Sequence, residues 1–213
     1  MKIFGEQHWW PAKTKFEICV GAILTQNTSW KNVEMAICVL KTKRKLNIKA
    51  INSMRERELA NLIRSAGYYN QKAATLKAFC HYVMRNYKGN LNSFLKKQIK
   101  ELREELLSIR GIGPETADSI ILYAAEKPTF VVDAYTERII FRVFGIRFKN
   151  REKLKEFFEK NLPKNAALYN EFHALLVALG KNFCKKRPLC SECPINKNCS
   201  HYAYNKNTAG FVP

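Results

Sequence analysis

The stretch Leu106-Leu107-Ser108-Ile109-Arg110-Gly111-Ile112-Gly113-Pro114-Glu115-Thr116-Ala117 decides how the rest of the chain is read. Apolar residues lead into it and resume at helical spacing at Ala117, Ile120, Ile121 and Ala124, so one helix ends here and another begins. Gly111 suits the left-handed residue that closes a helix, and Pro114 suits a first helical position, where an N–H has no partner in any case. The spacing predicts a tight hairpin over about residues 102–124, joined by Gly111-Ile112-Gly113, with Ile112 plugging it into the core. Two glycines bring bare backbone to the surface, and the unbonded N–H groups at the start of the second helix, at the positive end of its dipole, suit phosphate. A plain helix-turn-helix connection would have the same pattern, so charge has to decide between them.

Charge favours a polyanion. The 213 residues hold 37 Lys+Arg against 18 Asp+Glu, a net charge of +19, which raises the local concentration of nucleic acid around the molecule. With 46% hydrophobic and 26% charged residues, the chain can bury the core of one domain or two lobes. No apolar run approaches the ~18 residues of a membrane span. The start, Met1 to Pro11, has no continuous apolar segment of the secretory kind, so no membrane is expected and the location is read as cytoplasmic, at the nucleoid.

Outward from the hairpin the period stays helical: Phe16, Cys19, Val20, Ile23, Leu24; Val33, Ala36, Ile37, Leu40; Leu59, Leu62, Ile63, Ala66; Leu76, Phe79, Cys80, Val83; Ile139, Ile140, Val143; Leu154, Phe157, Phe158; Leu175, Leu176, Leu179. Alternating runs are absent, which predicts an all-α fold, with one short extended stretch at Thr129–Val132 leading into Asp133. An Asp after an apolar run is a good helix N-cap, a role that does not bar it from chemistry.

Seven cysteines occur, four of them as Cys184-x5-Cys190-x2-Cys193-x5-Cys199. Cys19, Cys38 and Cys80 fall on or beside apolar faces and are expected to be buried thiols. A cytoplasmic chain has little use for disulfides. Zinc is a competing metal, but its structural sites usually pair two short hooks, whereas one Cys-x2-Cys stands here between two longer arms; four thiolates on one short loop suit a 4Fe-4S cubane, one per iron. Lys185, Lys186 and Arg187 lie between the first two cysteines and are read as phosphate contacts on a loop held by metal.

The hairpin, the Thr116-Ala117 pair and Asp133 twenty residues past Gly113 together resemble the helix-hairpin-helix Gly/Pro-Asp superfamily of DNA glycosylases, the endonuclease III group. Phe16–Thr28 resembles an early helix and loop of that family, and Gly67-Tyr68-Tyr69-Asn70-Gln71-Lys72-Ala73 its Gly-x-Tyr-Asn-x-Lys-Ala segment. The resemblance implies two helical lobes, here 16–128 with the hairpin and 1–15 plus 129–213, and a cleft holding Asp133. It implies double-stranded DNA with a damaged base as the partner of a monomer, with Gln26, Asn27, Gly111, Ile112, Gly113 and Thr116 at the DNA. The cysteine loop 184–199 resembles the iron-sulfur loop of endonuclease III and the adenine-mismatch glycosylases, with a first gap of five residues in place of six, and implies a 4Fe-4S cluster on Cys184, Cys190, Cys193 and Cys199.

Members of the family that also cleave the strand carry a lysine at the second position after the second hairpin glycine. Glu115 stands there and cannot form an imine, so the chain resembles the monofunctional enzymes, with AP lyase activity doubtful. Asp133 would then stabilise positive charge on the sugar and orient water. His8-Trp9-Trp10-Pro11 and Ile23-Leu24-Thr25-Gln26-Asn27-Thr28-Ser29-Trp30 resemble segments of the small 3-methyladenine DNA glycosylases, some of which lack the iron-sulfur loop. Trp9, Trp10 and Trp30 with Glu115 make the candidate base pocket, where electron-rich rings would favour a cationic alkylated purine. Gln26 or Asn27 would fill the gap left by the flipped nucleotide. Competing readings are an endonuclease III-like enzyme on oxidised pyrimidines or mismatches, and a non-catalytic iron-sulfur DNA-binding protein.

Overall fold

The computed structural model describes residues 3–7 and 9–208; His8 of the first tryptophan motif lies outside them. No strand occurs among the described residues. The chain divides into two compact units, Trp10–Thr129 and Met1–Trp9 with Phe130–Pro213.

The first unit holds α1 (Lys15–Leu24), α2 (Trp30–Thr42), α3 (Ile48–Ser53), α4 (Glu56–Leu62), α5 (Tyr69–Tyr87), α6 (Leu91–Leu95), α7 (Ile99–Ser108) and α8 (Pro114–Ser119), the last running on into a π-helical turn at Ile120–Ala124. Thr14, Asn47 and Asn90 cap α1, α3 and α6 by accepting an N–H from the first turn. Helix α5 is central: its Leu76, Phe79, Cys80 and Val83 are fully buried in one core together with Ile23, Leu40 and Leu102. The unit begins at Trp10 because that ring closes on α1. Its edge lies 3.0 Å from where a Cβ of Gly21 would stand, and its centroid is 5.2 Å from Trp30 and 5.1 Å from Tyr123.

The hairpin forms with one correction. Helix α7 stops at Ser108, before Gly111, because Ile109 takes extended backbone (φ −78°, ψ 122°) and buries its side chain. Gly111, at φ +89°, then reverses the chain, and a Cβ there would collide with Thr75 of α5. Pro114 opens α8 as expected. A buried carboxylate ties the two helices: Asp118 Oδ1 accepts from Arg103 Nε at 2.8 Å and Oδ2 from Nη2 at 3.3 Å.

The second unit holds α9 (Ala134–Phe144), α10 (Arg151–Asn161), α11 (Ala166–Asn182) and α12 (Ser200–Thr208). No strand forms at Thr129–Val132; these residues are buried irregular backbone, and the Phe130 N–H donates to Glu159 Oε1 at 2.8 Å. Phe130 stacks on Phe158 at 4.0 Å and meets the fully buried Tyr169 edge-on. Helices α9 and α11 come close at Gly180, where a Cβ would collide with the Tyr135 ring. Two expected core residues are exposed: Cys38, which faces away from the Val33, Ala36, Ile37 and Leu40 stripe, and Phe157, which rests on Phe148 while Leu154 and Phe158 take the core.

Replacing Asp118 by Ala removes the buried carboxylate that pairs with the Arg103 guanidinium. The expected cost is about 3 kcal/mol of stability, as for other broken buried pairs. Urea unfolding followed by circular dichroism measures it, and a change below about 0.5 kcal/mol, the range of surface substitutions, would remove the pair from the account of the hairpin.

Candidate active site and nucleic-acid interface

Asp133 does two things at once. It is the N-cap of α9: Oδ1 accepts from the Thr136 N–H at 2.7 Å and from Thr136 Oγ1 at 2.9 Å. Its Oδ2 takes no part in the cap and faces His173 Nε2 of α11 at 3.6 Å. The carboxyl side chain is 13% exposed. Burial alone would raise its pKa, but the His173 imidazole and the two bonds from Thr136 outweigh burial and hold it below the ordinary value. The result is a largely buried carboxylate that stays ionised, with one oxygen uncommitted to the helix.

In the other unit the hairpin meets the loop after α1. Gln26 Nε2 donates to the Gly111 carbonyl at 3.2 Å and to Thr116 Oγ1 at 3.0 Å. Thr116 and Ile112 are buried, and the Ile112 N–H bonds back to Ile109, so neither side chain offers a surface; Gly111, Gly113 and Glu115 are exposed. Asn27 is exposed, in left-handed backbone at φ +51°. Beside these residues lies a cavity of about 410 Å³ walled by Gln26, Asn27, Tyr68, Lys72, Arg110 and Gly111 among others. No local signal assigns Tyr68 or Lys72 a role beyond their motif. Tyr68 is 67% exposed in left-handed backbone (φ 46°) just before α5. Lys72 is buried, its Nζ donates to the Ala66 carbonyl at 2.7 Å, and burial lowers its pKa to about 8.

The candidate pocket residues divide. Trp10 and Trp30 meet edge to face, both partly buried against the core of the first unit, with Tyr123 on the other side of Trp10. Trp9, also partly buried, falls in the second unit.

Cys184, Cys190, Cys193 and Cys199 line one cavity with apolar walls from Val143, Leu179, Pro188 and Ile195. Burial raises the thiol pKa of Cys190, and its three neighbours in the motif raise it further, so the four sulfurs lie within electrostatic reach of one another. Among the described residues no three His, Cys, Asp or Glu form a single-ion site. Helix α9 grips this loop: Arg138 Nε donates to the Cys184 carbonyl at 2.8 Å, and Arg142 donates to Cys184 Sγ at 3.4 Å and to the Lys185 and Lys186 carbonyls at 2.6 and 3.0 Å. Lys185, Lys186 and Arg187 are exposed. Arg138, Arg142 and His173 were missed in the sequence because nothing local marks them; only packing brings them to the loop and to Asp133.

The depressed pKa of Asp133 has a stability consequence. A carboxylate whose folded pKa lies below the unfolded value of about 4 contributes stability that is present above that value and lost as pH falls through the folded pKa. Asp133→Asn keeps the cap acceptor and removes the charge. Wild-type protein is therefore expected to exceed the variant in stability near pH 6 and to lose that advantage towards pH 3, in urea titrations; a difference independent of pH would contradict it.

Residues 20–164 match the family described as HhH-GPD superfamily base excision DNA repair protein. A Methanocaldococcus jannaschii protein assigned as a DNA repair glycosylase is 51% identical over 92% of this chain and 90% of its own. Endonuclease III of Thermotoga maritima is 29% identical over 88% of this chain and 83% of its own. Among solved structures, an H. pylori 3-methyladenine DNA glycosylase bound to 1,N6-ethenoadenine is 33% identical with a TM-score of 0.73, over 81% of this chain and 87% of that one. An endonuclease III–DNA complex, 22% identical over 92% of this chain and 87% of that one, shares the fold at a TM-score of 0.77. With a buried aspartate after the hairpin, and with a family match and relatives over most of its length, the chain belongs to the HhH-GPD superfamily of base excision DNA repair proteins, among the DNA glycosylases.

Proposed function

We propose that this glycosylase is monofunctional: as a monomer it flips an alkylated purine such as 3-methyladenine out of double-stranded DNA and hydrolyses its N-glycosidic bond. The observation that carries the reading is the Asp133 carboxylate, ionised despite burial, with Oδ2 left over from the helix cap. Such a group would stabilise the oxocarbenium charge that develops on the deoxyribose and orient the attacking water. Its neighbours Thr136 and His173 include no second carboxyl group to protonate a leaving group. An N-alkylated purine leaves as a neutral base from a cationic one, so a strong general acid is not required. The 33% identical neighbour with ethenoadenine supports a purine adduct, and the Trp10–Trp30 pair supplies electron-rich rings near the loop that would enter the DNA.

The DNA face would be built mainly from backbone. Gly113 has φ −93°, open to any residue, and a Cβ there would meet nothing within 4 Å. The fold does not ask for glycine at this position; a phosphate backbone in close approach would. Of the two candidate gap fillers, Asn27 can enter the duplex without first breaking a hydrogen bond to the hairpin, whereas Gln26 would give up two. Lys185, Lys186 and Arg187 would add phosphate contacts from the cysteine loop.

A second reading, with lyase action, has one observation in its favour: the Lys72 amine, with its pKa lowered to about 8, on the wall of the hairpin cavity. Its bond to the Ala66 carbonyl holds it back from an abasic aldehyde. A panel of methylated, oxidised and mismatched duplexes, with and without alkali, separates the readings. The expected outcome is release of alkylated purine, an alkali-labile product and no borohydride-trapped adduct. Asp133→Asn should slow excision by about 100-fold or more and leave DNA binding intact. Efficient trapping that disappears in Lys72→Gln would replace this reading with the endonuclease III-like one, and absence of any turnover would favour the non-catalytic one.

The four cysteines fit a 4Fe-4S cluster, since all four line one largely apolar cavity. Bound there, the cluster would serve as a structural clamp and a one-electron centre. Anaerobically purified protein is expected to carry about four irons per chain with broad visible absorption. Stoichiometric zinc without iron would overturn the assignment.

A further inference from the structure

The two oxygens of Asp133 are not equivalent. Oδ1 is fixed by two hydrogen bonds from Thr136 on its own helix, while the group facing Oδ2 comes from α11. A carboxyl torsion is broad and nearly two-fold, so a cap on one oxygen leaves the second free to swing unless something outside α9 holds it.

His173 is placed to do this. It is 6% exposed and sits seven residues, two helical turns, before Gly180, on the same face of α11. Gly180 allows α11 to close on the Tyr135 ring, next to the cap of α9, so the register of the two helices fixes where the imidazole stands relative to the carboxylate. A larger residue at 180 would push the helices apart and withdraw His173 with them.

We propose that His173 is a positioning residue for Asp133: with Nε2 at 3.6 Å it orients the carboxylate so that Oδ1 remains the helix cap and Oδ2 is the oxygen presented to the reacting sugar and its water. This rests on the reading of Asp133 as the catalytic carboxylate. The contact is longer than a tight hydrogen bond and of the kind that shortens once substrate excludes water. His173, reaching in from α11, also offsets part of the desolvation of the carboxylate and helps to hold its pKa low.

The test uses the full-length, metal-loaded protein with His173→Phe, His173→Gln and Asp133→Asn. Two measurements are made: single-turnover release of bases from dimethyl sulfate-methylated duplex across pH, and the carboxyl titration of Asp133 by 13C NMR, assigned through Asp133→Asn. His173→Phe should lower excision by about 10-fold or more without weakening DNA binding, and should move its acid limb and the Asp133 midpoint upward by about one pH unit. His173→Gln, which keeps an N–H donor at similar reach, should recover most of the rate. An unchanged Asp133 midpoint in folded His173→Phe overturns the proposal. If His173→Phe fails to fold, His173→Gln decides: a loss of rate as deep as that of Asp133→Asn would overturn the proposal, and a retained rate with a retained midpoint would support it. If methylated DNA is not a substrate, or Asp133→Asn remains fully active, the functional reading fails while the NMR arm still answers for His173.

Discussion

Helix α9 is held at both ends by chemistry. At its start the Asp133 carboxylate closes the first turn, and towards its end Arg138 and Arg142 reach across to the cysteine loop. A carboxylate at the positive end of a helix dipole is stabilised as an anion, which is also the form that the proposed hydrolysis would use. One helix thus helps His173 of α11 to hold the acid ionised, and its far turns, about 13 Å away along the axis at 1.5 Å per residue, hold a loop bearing three exposed cations. A displacement of α9 would disturb both. That dependence gives the four cysteines a reason to matter even where no electron is transferred: the loop they would tie down lies against the same helix.

The other unit solves a different problem, how to leave bare backbone at the surface without collapsing. Gly111 answers an internal demand, since left-handed backbone and Thr75 leave no room for a Cβ. Gly113 answers none that the fold makes. Between them Ile112 is sunk into the core, and the Arg103–Asp118 pair locks the two helices that the turn connects. The hairpin is therefore rigid where it meets the protein and bare where it meets solvent, which suits contacts to phosphates at fixed spacing.

Much of this could be read from the residues in order. Helical periodicity, the glycines, Pro114 and the four-cysteine spacing are local signals, and they gave the all-helical fold, the hairpin and the cluster of thiols, together with Asp133 as a cap. The errors were also local. Gly111 alone misplaces the end of α7, because burial of Ile109 breaks the helix earlier, and apolar neighbours in sequence misplace Cys38, because a neighbourhood is not a face. Thr116 was grouped with the surface of the hairpin, whereas its hydroxyl receives Gln26 beneath that surface.

The sequence by itself determined which elements form and which residue types carry the chemistry, because capping, turn conformation and amphipathic period act over a few residues. Only the tertiary structure decided what surrounds them. His173 lies forty residues from Asp133, Arg142 lies forty-two from Cys184, and Gln26 lies ninety from Thr116. These contacts depend on how closely α11 approaches α9 at Gly180, and on how the loop after α1 packs against the hairpin. No short-range rule encodes such distances, because they follow from the simultaneous fit of side chains contributed by distant segments.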